Sequence, residues 1–307
     1  MRLYEWTPGW ELPQEPLGWM HSGAAVVDGR VLVAHPAEPV LLAYEGAGLA
    51  SSTPLEGLLE PHGFHPVADG MWIGDVGFKR RVRGPGFETE RGRGRVVLVD
   101  ASGAVERELD DPGEGWSPTA IAAVEETGDV WVADGYGKSL VHRFDGEGAH
   151  VLTLTGEEGA GRFDCPHGVV VDRRGAEPEL YVSDRANGRI QVFDLEGRFK
   201  RVVGERIVVT PTDMAVVGEE LVLTDFTRSR VTVLDPDDRL VEHVGANPTA
   251  RERDGWPNAL DDAGNLVRPS LEPGLFNSPH TLAADEEGNV YVTEWLIGGR
   301  LTKLTRA

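Results

Sequence analysis

A single cysteine, Cys165, rules out any disulfide within the chain, which fits a reducing compartment. Long apolar runs are also missing. None approaches the roughly 20 residues that a membrane-spanning helix needs. The opening "MRLYEWTPGWELPQEP" lacks the charged start and apolar run of a secretory signal. Positive charge is scarce: 30 Lys and Arg face 51 Asp and Glu, a formal net charge of −21. A surface that acidic repels phosphate backbones and anionic membranes. These absences predict a soluble, cytoplasmic protein that acts on a small molecule, with neither nucleic acid nor membrane as partner. Oligomeric state is left open. The one local exception in charge is the basic cluster Lys79 to Arg95, in a Gly-rich loop. Helical periodicity is absent too; no segment keeps a 3.6-residue apolar repeat over ten residues.

What is present is a repeat. "CPHGVVVDRRGAEPELYVSDRANGRIQVFDLEG" starts at Cys165, and related units start at Glu60, Ser117, Thr210 and Ser278, with a weaker copy at His21. The anchoring prolines are Pro61, Pro118, Pro166, Pro211 and Pro279, separated by 57, 48, 45 and 68 residues. A period of about 40–50 residues built from short strands is the mark of a β-propeller, one blade per repeat. Six copies predict an all-β, six-bladed propeller over residues 1–307 as a single domain. The two long intervals carry insertions, "RRVRGPGFETERGRGR" and "GANPTARERDGWPNALDDAGNLVRPSLEPG", which read as loops. Within the Cys165 unit, strands are expected at 168–171, 180–183 and 189–193. The last blade ends on its third strand, and the segment Arg2–Trp6 is expected to supply the fourth, hiding the sheet edges that an open ring would expose.

The residue after each anchoring proline is His62, Thr119, His167, Thr212 and His280. Blade one offers Ser22 or Gly23 there, depending on a one-residue gap. Histidine therefore recurs in blades two, four and six, about 120° apart in a six-fold ring. All three open the innermost strand, so their imidazoles converge on the axis, as in a three-His metal site with an open position. The plain alternative is a set of repeat-borne histidines that make only local hydrogen bonds. In an antiparallel pair the end of the second strand returns to the same rim. That brings Asp75, Tyr136, Arg185, Asp225 and Trp295 around the histidines. Tyr136 and Arg185 are the catalytic candidates there; the recurring Asp residues are expected to cap turns. Cys165 is expected on the opposite side of the strand entry, as a buried or free thiol.

These units resemble NHL repeats, and more specifically the peptidylglycine alpha-amidating lyase family, from about Pro61 to Lys303. The resemblance implies a six-bladed propeller with zinc held by three Pro-His pairs, here His62, His167 and His280. It places an active-site tyrosine at Tyr136 of "ADGYGKSL" and an active-site arginine at Arg185 of "DRANGRIQ". The expected cofactor is Zn2+ or another divalent transition metal, with room for a structural Ca2+. Two departures stand out. A family arginine in an "HRG" context meets His21-Ser22-Gly23, and Ser278 replaces a Met before the last Pro-His.

The reaction so implied is a zinc-dependent lyase on a hydroxylated, carboxylate-bearing small molecule. Tyr136 would serve as a base of lowered pKa, with Arg185 as the main cation near the metal. Peptidyl-α-hydroxyglycine itself is expected to be a poor substrate. A metal-dependent hydrolase such as a calcium lactonase, and a non-enzymatic NHL binding module, are the alternatives; three histidines favour zinc over calcium.

Overall fold

The structure is a computed structural model that describes residues 3–7, 10 and 18–307. Six four-stranded antiparallel sheets follow one another around a ring. Blade four shows the unit: Pro166–Asp172, Glu179–Asp184, Arg189–Asp194 and Phe199–Val203, paired in that order. The first three strands match the expectation, each longer by one or more residues. The fourth was not legible, because it lies at the outer edge with only Val203 buried. Asp194 makes the turn before it, accepting N–H groups from Glu196 and Arg198 at 3.0 and 2.9 Å. Asp145 and Asp235 repeat that turn in blades three and five, which is the local reason for Asp at these positions.

The last blade closes as expected. Tyr4–Thr7 pairs with Arg300–Arg306, Tyr4 opposite Arg306 and Trp6 opposite Leu304. Arg2 lies outside the described residues. Closure also shows in the core, which divides into six clusters, one between each pair of neighbouring blades. Blades three and four share Trp131, Leu180 and Phe193; blades six and one share Val33, Leu42, Tyr291 and Leu301. Each fully buried Val, Leu or Phe is worth about 1.5–3 kcal/mol, so no blade can leave the ring without exposing two faces. Among the described residues, the only helical segments are the 3-10 turns Phe226–Arg228 and Ala250–Glu252. Among the described residues no helix is long and apolar enough to cross a membrane.

The insertions are more ordered than expected. The basic cluster folds as a hairpin, Phe78–Arg83 with Gly86–Arg91, set between the second and third strands of blade two. Its two-residue loop is Gly84-Pro85, with Gly84 at φ +55°. A positive φ at the first loop position suits the type II′ turn that two-residue hairpins favour. The Gly245–Gly274 insertion contains only the short pair Ala259–Leu260 and Leu266–Val267 and no further blade.

Glycine after Pro-His has a steric cause. A Cβ on Gly168 would stand 2.7 Å from the Thr212 carbonyl oxygen, and one on Gly63 would stand 2.8 Å from that of Thr119. Blade touches blade at these points, backbone to backbone. Gly168→Ala is expected to cost about 1–3 kcal/mol by overpacking, read by denaturant unfolding. Gly86→Ala, with nothing within 4 Å, should leave the midpoint nearly unchanged.

Candidate functional site

Each Pro-His pair sits at a β-bulge. Pro61 pairs with Asp75 and Gly63 with Gly74, so His62 is the extra residue. His167 lies likewise between the Pro166–Asp184 and Gly168–Ser183 pairs, and His280 between Pro279–Glu294 and Thr281–Thr293. A bulge re-aims the residue it displaces, here toward the axis. The acid opposite each proline holds the entering loop. Asp75 accepts N–H groups from Leu59 and Glu60 at 2.6 and 3.1 Å. Glu294 accepts from Asn277 and Ser278 at 2.6 and 2.9 Å. Asp184 accepts from Asp164 at 2.8 Å and also binds Arg189. The acid series thus caps turns, as expected.

His62, His167 and His280 are buried, with ring centres 5.0, 5.0 and 4.9 Å apart. Imidazoles sharing one tetrahedral zinc at Zn–N of ~2.0–2.1 Å have their ring centres about 5 Å apart. His62 Nδ1 lies 2.7 Å from the Thr119 carbonyl oxygen, and His167 Nδ1 3.1 Å from that of Thr212. A carbonyl only accepts, so both rings carry their proton on Nδ1 and a lone pair on Nε2. Such a fixed tautomer is the usual outer support of a metal-bound histidine. His62 Nε2 is buried with no partner, as is Nδ1 of His280. Burial drives His62 down to about 4, although its bond to Thr119 pulls the other way. His167 and His280 are likewise held well below the ordinary histidine value, burial first, followed by Arg185 for His167 and by His62 and then Arg185 for His280. Neutral rings with free lone pairs are the form a metal needs.

A fourth imidazole joins them. The ring of His21 lies 4.4 Å from that of His62 and 5.1 Å from that of His280. Ligand atoms of His21, His62 and His280 all fall within 4.8 Å of one another, so these three can hold a metal ion. His167 is outside that trio; its Nε2 meets the Tyr136 hydroxyl at 2.8 Å. His62 and His280 thus belong to two histidine triads, one completed by His167 of the Pro-His series and one by His21. His21 also reaches Tyr136, Nε2 to Oη 2.9 Å. Blade one explains why it went unnoticed. A Cβ on Gly23 would meet the His62 carbonyl oxygen at 2.4 Å, the contact that defines Gly63 and Gly168. Ser22 therefore fills the histidine column, and His21 stands where other blades have proline. Ser22 is buried, its Oγ accepting from Ala34 N at 2.6 Å.

Tyr136 and Arg185 do lie at this rim. The Tyr136 hydroxyl meets His21, His167 and, at 3.3 Å, Arg185 Nη1. The expected lowering of its pKa is not found. Burial pushes Tyr136 up to about 12, and the Arg185 guanidinium offsets only part of that. Tyr136 is therefore a neutral donor in this setting. Cys165 is a free, partly buried thiol, as expected, and burial raises its pKa.

Beside His21 and His280 opens a cavity of about 900 Å³. Trp19, Phe78, Phe226 and Trp295 give it apolar walls, and Arg80, Arg91, Lys138 and Arg185 line it as cations. Arg185 is thus not the main cation alone, as the sequence suggested.

The fold is that of an NHL-type six-bladed propeller. The NHL repeat family matches residues 163–193, the unit that contains His167. The chain is similar to the peptidyl-glycine alpha-amidating monooxygenase A of Xenopus laevis, 29% identical over 281 residues, 87% of this chain and 26% of that protein. It is also similar to the mouse NHL repeat-containing protein 3, 33% identical over 150 residues, 44% of this chain and 39% of that protein. The chain thus spans well under half the length of these curated relatives. Virginiamycin B lyase from Staphylococcus aureus, solved with quinupristin, shares the fold with a TM-score of 0.59 at 14% identity, over 99% of each chain. The expected resemblance to NHL propellers and amidating monooxygenases is borne out.

Proposed function

We propose that this protein is a metal-dependent lyase that collapses a hydroxylated, carboxylate-bearing amide into an amide and an aldehyde, with zinc as the expected ion. The observation that carries this reading is the cluster of three buried imidazoles with ring centres 5.0, 5.0 and 4.9 Å apart, of which His280 lines the cavity together with Tyr136 and Arg185. His62, His167 and His280 would hold the ion, which supplies Lewis acidity to stabilise charge developing on oxygen.

The rest of the chemistry belongs to the chain. In the collapse the carbon–nitrogen bond breaks, the carbon–oxygen double bond forms, the hydroxyl loses its proton and the nitrogen gains one. A neutral Tyr136 is suited to protonate the departing nitrogen and then to take up the proton shed by the hydroxyl. His21 and Arg185 hold the phenol hydroxyl in place from two sides. The aromatic walls shield the reacting end from water. The calcium-hydrolase alternative needs carboxylate ligands. The only metal-compatible group of three or more among the described residues is His21, His62 and His280.

The test is direct. The four cations lining the cavity make up for the arginine missing from blade one, so the expectation of a poor peptidyl-α-hydroxyglycine substrate is revised: zinc-loaded protein given α-hydroxyhippurate should release benzamide and glyoxylate in equal amounts, and a chelator should abolish release. Fully loaded protein that forms neither product would overturn the lyase reading.

A further inference from the structure

The basic hairpin of blade two has no part in the propeller scaffold, yet it reaches the cavity. Its register places Arg80 opposite Thr89 and Phe78 opposite Arg91, and these four residues all line the cavity. Residues of the other face are neutralised within the protein: Lys79 by the buried Glu60, Arg81 by Glu90 and Arg83 by Glu88. Arg80 is different. Its guanidinium forms no ion pair among the described residues and lies over the Trp295 ring, 5.8 Å from the centroid. Trp295 in turn stacks beside His280, ring centres 6.4 Å apart.

The hairpin is anchored at both ends. Phe78 packs 5.7 Å from the Tyr136 ring, and Phe87 packs 4.2 Å from Trp19. In a chain of net charge −21, the cavity lining holds four cations and one carboxylate, Glu60, already bonded to Lys79. A cationic pocket in an acidic protein concentrates small anions.

We propose that Arg80 is a specificity-determining residue of this cavity: it binds the carboxylate of the substrate from blade two, opposite Arg185 of blade four. It thereby supplies the cation that blade one, with Ser22, does not. Arg185, bonded to Tyr136, is left with the reacting end. This inference rests on the cavity being the substrate site, and its test does not use turnover.

Hippurate and its neutral amide, hippuramide, serve as probes, titrated into the full chain by calorimetry with and without zinc. Wild type should prefer hippurate. Arg80→Gln should raise the hippurate Kd by roughly 10–100-fold, the scale of one charged hydrogen bond, and leave hippuramide within about twofold. Arg80→Lys should recover part of the loss. Arg83→Gln removes the same charge from the same hairpin, outside the cavity, and should change nothing. Equal binding of acid and amide by wild type, an unchanged hippurate Kd in Arg80→Gln, or an equal loss in Arg83→Gln would each overturn the proposal. Arg80-dependent binding in a protein that retains no zinc would sink the metal reading and leave this one standing.

Discussion

Alanine at His62, His167 or His280 is expected to strip the bound metal, while alanine at His21 retains it. Loss of an outer-shell partner costs about 10–100-fold in metal affinity, and loss of a ligand should exceed that. Zinc content per chain after gel filtration reads the difference. The contrast matters because two triads share His62 and His280: one adds His167 by Pro-His geometry, the other adds His21 by proximity. If His21→Ala loses zinc and His167→Ala keeps it, the second set is the ligand set and Tyr136 is held by His167 and Arg185. Metal that binds only the folded state also stabilises it. Chelation should therefore lower the melting temperature of wild type and leave a ligand variant unmoved, a readout independent of activity.

Much of this centre was legible because its residues answer to backbone constraints. Pro166 opens an inner strand where no ladder N–H is needed, Gly168 passes a neighbouring carbonyl at contact distance, and Asp184 holds the loop that enters the strand at Asp164. The proline and the capping acid recur in blades two to six, so they leave a repeat. What the repeat does not carry was hidden. His21 occupies the proline column of the one blade whose motif is degraded. The Phe78–Arg91 hairpin alternates correctly, but its Arg, Gly and Pro content reads as a loop. The outer strand Phe199–Val203 has too little buried surface to impose a pattern. The acidity of Tyr136 depends on the depth of the cavity around it, which no local sequence encodes. Four segments distant in sequence meet there, contributing His21, Phe78, His167 and Arg185.

Tyr136→Phe is expected to keep the metal and lose most turnover. The substitution deletes one oxygen and leaves the ring, whose edge contacts with His62 and Phe78 hold the pocket's shape. The deleted hydroxyl is the point where His21, His167 and Arg185 converge. A group that moves a proton in the transition state is worth about 10²–10⁴-fold, so kcat should fall by that factor. KM for α-hydroxyhippurate should change little, because Arg80 and the aromatic walls are untouched. Zinc content and hippurate affinity, measured on the same preparation, separate this outcome from a damaged site. A merely structural Tyr136 would instead show a fall of less than about tenfold in kcat, or a parallel loss of zinc; either result removes it from the chemistry. Burial keeps the phenol neutral well above pH 7. A tyrosine that had to ionise first would make the wild-type rate climb tenfold per pH unit through the neutral range, and a flat profile there is the result expected of a proton donor.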